Sequence, residues 1–122
     1  MSTKADFATV FTQLKEILTR LAPPLTVVAD EPENYSLNAA YSAQYKRDLF
    51  FGAVQIKKNY VSYHLMPVYI FPTLLDNISP ALKKRMQGKS CFNFTTLDAA
   101  LLAELVQLTA SGFAQYRKAQ LL

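Results

Sequence analysis

The stretch DLFFGAVQIKKNYVSYHLM, from Asp48 to Met66, leaves this chain the least freedom. Its two runs, Leu49–Lys57 and Tyr60–Met66, read as β-strands joined at Lys58-Asn59. Asparagine is one of the few residues besides glycine that tolerates the left-handed backbone of such a turn. Side chains alternate between the two faces of a strand. Phe50, Val54 and Ile56 therefore share one predicted face, matched by Val61, Tyr63 and Leu65 on the partner strand. A two- or four-residue loop sets Ile56 opposite Val61, so the two apolar sets coincide. The other predicted face carries Phe51, Ala53, Gln55 and Lys57 beside Tyr60, Ser62, His64 and Met66. One face is core and the other is mixed.

The rest of the chain adds sheet to this hairpin or helix over it. Phe7, Val10, Phe11, Leu14, Ile17, Leu18 and Leu21 fall at helical spacing, which predicts an amphipathic helix over Asp6–Leu21 stopped by Pro23-Pro24. Leu25–Ala29 and Tyr35–Tyr41 read as strands across the polar turn Asp30–Asn34, and Ser42–Arg47 leads into the hairpin. Pro67 and Pro72 interrupt the chain beyond the hairpin, so Tyr69–Leu75 is expected to be a short helical or irregular crossing. Ser79-Pro80 starts a helix over Ala81–Gln87, with Gly88 at its C-terminal cap. Lys89–Thr95 reads as a last strand, and Asp98–Leu121 as a long amphipathic helix. The fold class expected is α+β: a two-layer sandwich, with an antiparallel sheet of about five strands and both long helices on one face. The opposite sheet face is then left to solvent, a ligand or a partner.

Composition sets bounds on function. One domain of 122 residues buries a real core, and 51% hydrophobic against 18% charged residues argues against disorder. A single cysteine, Cys91, excludes an internal disulfide and fits a reducing cytoplasm. No apolar run approaches a membrane span, and the N-terminus lacks the pattern of a signal peptide, so a cytoplasmic protein with no membrane partner is expected. The net charge of +4 allows anionic partners.

Few residues carry chemistry. His64 is the only histidine, and Ser62 lies two positions away on the same strand face. That spacing is several ångströms, long for a direct hydrogen bond, and no nucleophile motif accompanies it. His64 and Cys91 alone fall short of the four ligands of structural zinc. The basic group Lys83, Lys84, Arg85 and Lys89 suits either a helix C-terminus or the anionic group of a ligand, and Lys57 and Lys58 at the hairpin tip are placed to extend it if the tip lies nearby. No recognised RNA- or DNA-binding motif is present, so nucleic acid is not the expected partner.

The combination KNYVSYHLMP, the helix SPALKKRMQ, the strand GKSCFNF and the trailing LDAALLAELVQLTASGFAQYR resembles the YdhG-like group of small bacterial proteins of unknown function. The resemblance covers most of the chain beyond Leu49 and implies a frataxin-like sheet with two helices. It also implies an alternative function, since some members are regarded as frataxin-like iron-binding proteins linked to iron–sulfur cluster assembly. The frataxin pattern is an acidic ridge on the first helix and first strand. Here that helix has Asp6 and Glu16 among Lys4, Lys15 and Arg20, leaving Asp30, Glu31 and Glu33 as the substitutes.

The leading expectation is a non-enzymatic binding module for a small anionic ligand or a protein partner, using Gln55, Tyr60, Ser62, His64, Lys83 and Lys89. Its cofactor, if it has one, is not legible; iron belongs to the alternative alone. No constellation of residues points to an enzyme. A homodimer through the open sheet face or an edge strand would account for Phe51 and Met66 without any ligand.

Overall fold

A computed structural model describes residues 4–21 and 25–121, with side chains from Phe7 onward. Pro23-Pro24, the predicted helix stop, lie outside the described residues. The element order is α1 (Lys4–Thr19), β1 (Thr26–Glu31), β2 (Asn34–Ser42), β3 (Arg47–Ile56), β4 (Val61–Leu65), α2 (Met66–Ile70), a 3-10 turn (Pro72–Leu75), α3 (Pro80–Lys83), β5 (Met86–Gln87), β6 (Cys91–Phe94) and α4 (Ala99–Lys118). The strands form one antiparallel sheet in the order β1-β2-β3-β4-β6-β5. The fold is α+β, with helices at both ends of the chain laid against the sheet.

The core lies between helices and sheet. Leu14 and Leu18 of α1, Val54 of β3, Val61, Tyr63 and Leu65 of β4, Phe92 and Phe94 of β6 and Leu105 of α4 are fully buried. The hairpin pairs as its pattern predicts, with Ile56 opposite Val61 and Val54 opposite Tyr63. Inside, the Tyr63 hydroxyl meets the Thr109 Oγ1 at 2.7 Å, so the one polar atom that β4 sends into the core has a partner on α4. Asp98 caps α4 by accepting from the Leu101 amide.

Three expectations are corrected. Phe50 and Phe51 exchange faces. Leu37 pairs with Gly52 and Asn38 with Phe50, so Phe51 is the extra residue of a β-bulge. A bulge resets the alternation. Phe51 accordingly turns inward to edge-on contacts with Phe113 and Tyr116 of α4, whereas Phe50 is half-buried. Second, Met66 begins α2 and packs against the core, because β4 ends at Leu65. Neither residue now argues for a dimer through the open face.

Third, the helix that Ser79-Pro80 starts is a single turn. Ser79 caps it by accepting from the Leu82 amide, and its own hydroxyl and amide donate to the Glu104 carboxylate of α4. The chain then extends into β5, so the sheet has six strands instead of about five. Gly88, expected as a helix cap, serves the β5–β6 reversal with φ of +75°, a left-handed conformation open to glycine.

Candidate functional site

The face of the sheet away from the helices carries a row of polar side chains. Register places it: Asn34 lies opposite Gln55, Gln55 opposite Ser62, and Ser62 opposite Asn93. One step along, Ser36 lies opposite Ala53, Ala53 opposite His64, and His64 opposite Cys91. Adjacent strands bring such partners within about 4.5–5.5 Å at Cβ. The Gln55 amide donates to Asn34 Oδ1 at 3.2 Å.

At the centre, His64 bridges two side chains. Its Nε2 lies 2.8 Å from Ser62 Oγ, and its Nδ1 lies 2.7 Å from Cys91 Sγ. The Ser62–His64 contact, which strand spacing alone makes long, closes because the imidazole folds back along its own strand. Burial, and then the positive charge of Lys57, hold the His64 pKa below its ordinary value. Burial pushes the Cys91 thiol up, opposed by a hydrogen bond from Ser62 and by Lys57. The resting pair is an uncharged thiol beside an uncharged imidazole that can accept a proton. Ser62 is buried, while His64 and Cys91 remain partly open to solvent.

A pocket of about 310 Å³ adjoins the row at one end of the sheet. Asn59 and Tyr60 of the hairpin tip, Lys84 to Gln87 entering β5, and Asn93 to Thr95 leaving β6 form its walls. Two lining residues belong to the polar row's neighbourhood: Asn93 is the cross-strand partner of Ser62, and Gln87 that of Cys91. No carboxylate lines the pocket, and among the described residues neither Lys84 nor Arg85 is in an ion pair.

The expected ligand residues are therefore split. Gln55, Ser62 and His64 stand together on the open face, and Tyr60 lines the pocket. Lys83 ends α3 in solvent, and Lys89 lies over the Tyr69 ring at 5.9 Å, so neither enters the pocket walls. Their neighbours Lys84 and Arg85 do. Lys84 and Arg85 belong to the basic group read for an anionic ligand, whereas Cys91 and Asn93 are the residues that the sequence did not place in a site. Their signal was present, since Cys91 and Asn93 alternate with the apolar Phe92 and Phe94. What the sequence lacked was the pairing of β6 with β4 across the intervening helical turns.

Asp30, Glu31 and Glu33 are not brought together as an iron site. Asp30 is paired with core-facing Tyr35 and forms an ion pair with Lys15 of α1 at 3.0 Å, while Glu31 is paired with Asn34 on the other face. Glu33 lies in the turn beyond, lining a separate hollow with Lys57 and Lys58. Among the described residues no three His, Cys, Asp or Glu side chains are grouped to hold a metal ion. Nor is any described helix long and apolar enough to cross a membrane.

No family model, curated protein or solved structure matches the chain.

Proposed function

We propose that this protein is a non-enzymatic binding module for a small anionic ligand, held where the hairpin tip meets the chain entering β5. The observation that carries the reading is the pocket itself: Lys84 and Arg85 border it, uncharged polar side chains complete it, and no carboxylate neutralises it. A cation without a local counter-ion, beside neutral donors such as Asn59, Tyr60, Gln87 and Asn93, is what an anion with several oxygens requires. Lys57 adds a third positive charge near the polar row, where it is felt by His64 and Cys91. Kinship with the YdhG-like group belongs to the same proposal, and its iron-binding alternative gains no support from the separated acidic residues.

An amide NMR titration with citrate and with inorganic phosphate tests this. Shifts at millimolar anion should centre on Asn59, Tyr60, Lys84–Gln87 and Asn93, and should vanish in a Lys84→Ala/Arg85→Ala double variant that retains the native spectrum. The same shifts in the double variant, or none in the unaltered protein, would reject the pocket as the site.

A further inference from the structure

Cys91, His64 and Ser62 do not line the anion pocket, but Gln87 and Asn93, the cross-strand partners of Cys91 and Ser62, do. The three form a chain with His64 in the middle. Cys91 Sγ is 2.7 Å from Nδ1 of His64, whose Nε2 is 2.8 Å from Ser62 Oγ. In the tautomer with the ring proton on Nε2, that proton is donated to Ser62 Oγ, and Nδ1 is left to accept from the thiol. This is the arrangement of an activated sulfur nucleophile: a thiol, a base in contact with it, and a third group orienting the base.

The surrounding backbone decides which electrophile fits. β6 is paired on both sides, with β4 and with β5, so its amides are engaged in the ladders. Acyl transfer needs free donors aimed at a developing oxyanion, and this strand interior offers no such pair. Exchange with a disulfide needs none, because attack at sulfur builds no oxyanion and passes directly to a leaving thiolate.

We propose that Cys91 is a site of mixed-disulfide formation with a small, carboxylate-bearing disulfide, with His64 as the base. This rests on the anion pocket proposed above, whose Gln87 and Asn93 are the cross-strand partners of Cys91 and Ser62. Nδ1 of His64 takes the thiol proton, and Cys91 Sγ attacks one sulfur of the incoming disulfide. An S–S bond to Cys91 forms as the original S–S bond breaks. The departing sulfur leaves with the electron pair and recovers the proton from His64. Cys91 is oxidised to the mixed disulfide, and the released half is reduced to a thiol. The chain has no second cysteine to resolve the product. The adduct therefore persists, one per chain, until an external thiol removes it.

Intact-mass kinetics with oxidised glutathione (anionic) and cystamine (cationic) test the proposal. On the unaltered protein the anionic disulfide should react about tenfold faster than cystamine, relative to their rates with a free thiol, as steering by local cations predicts. His64→Gln should slow both reagents by about a hundredfold, the lower end of what a positioned base contributes. Lys84→Ala/Arg85→Ala should slow oxidised glutathione to the normalised rate of cystamine. Equal normalised rates for the two disulfides in the unaltered protein overturn the proposal even if a variant misfolds, as does a folded His64→Gln protein that reacts at the parent rate. Citrate titration of a Cys91→Ser protein reads the pocket separately. Pocket shifts there, combined with an unreactive parent, would reject the thiol chemistry and leave the binding reading standing.

Discussion

His64 touches two side chains and feels one cation, and each bears on where its proton resides. Burial acts first and Lys57 second, both disfavouring the imidazolium. The contacts to Ser62 and Cys91 give the neutral ring its partners. In the unfolded chain the same histidine titrates near 6.5. Below that value the unfolded state binds the proton more readily, so stability is lost as pH falls through 6.5 toward the depressed folded value. The contribution is absent well above this window, where both states are neutral. Replacing His64 with Gln removes the titration and keeps a polar side chain. Urea midpoints at about pH 7.5 and pH 5.5 should thus fall further for the parent than for His64→Gln, the two samples sharing all other ionisations. Parallel slopes would show that protonating His64 costs the fold nothing. At this scale the sequence placed His64 and Ser62 on a common face but misjudged their contact, because a side-chain rotamer, not the strand spacing, decides it.

Elements were legible where a pattern repeats and illegible where one residue breaks it. The helical spacing of Leu14, Leu18, Leu101, Leu105 and Leu108 and the alternation through Val61, Tyr63 and Leu65 announce their burial. The bulge at Phe51 has no such signature, since it arises from how β3 meets β2 and not from either strand alone. Likewise, Ser79-Pro80 marks a helix start, but the exit into β5 after one turn depends on pairing with β6. A close approach between helices is equally hidden. A Cβ built on Gly112 of α4 would lie 2.8 Å from the Cβ of Pro67 in α2. Two effects oppose each other in Gly112→Ala. Helix propensity favours alanine by about 1 kcal/mol, while overpacking of a filled contact costs about 1–3 kcal/mol. Pro67 is buried and its pyrrolidine ring cannot rotate away, so the steric effect should prevail. Gly112→Ala is expected to be less stable by about 1 kcal/mol in denaturant melts, the difference between those terms. Exposed Ser111→Ala, which gains propensity without a clash, should be neutral or slightly more stable. A stabilised Gly112→Ala would mean that α2 and α4 separate easily.

At the level of the whole molecule, the fold class followed from the order of elements: amphipathic helices at both ends can bury their stripes only against the sheet between them. The open face followed from the same logic, and the polar row now occupies it. The strand order was hidden, because β6 reaches β4 from the far side of α2 and α3 and no local pattern encodes that return. That order has a consequence for dynamics. β3 and β4 are interior and are covered by the buried side chains of α1 and α4, so their amides can open only when the helices leave. β1 is an edge, with Val27 and Val28 exposed at 42% and 53% and a register shift between Val27 and Ala29. Its acidic end and irregular pairing suit an edge that resists joining another sheet. It also has little buried surface to lose on opening. Native-state hydrogen exchange should therefore place Val54 and Tyr63 at the global unfolding free energy, with Val27 and Val28 exchanging through a smaller, denaturant-insensitive opening. A β1 as protected as β4 would mean that the sheet opens as one unit and that the edge is covered in solution.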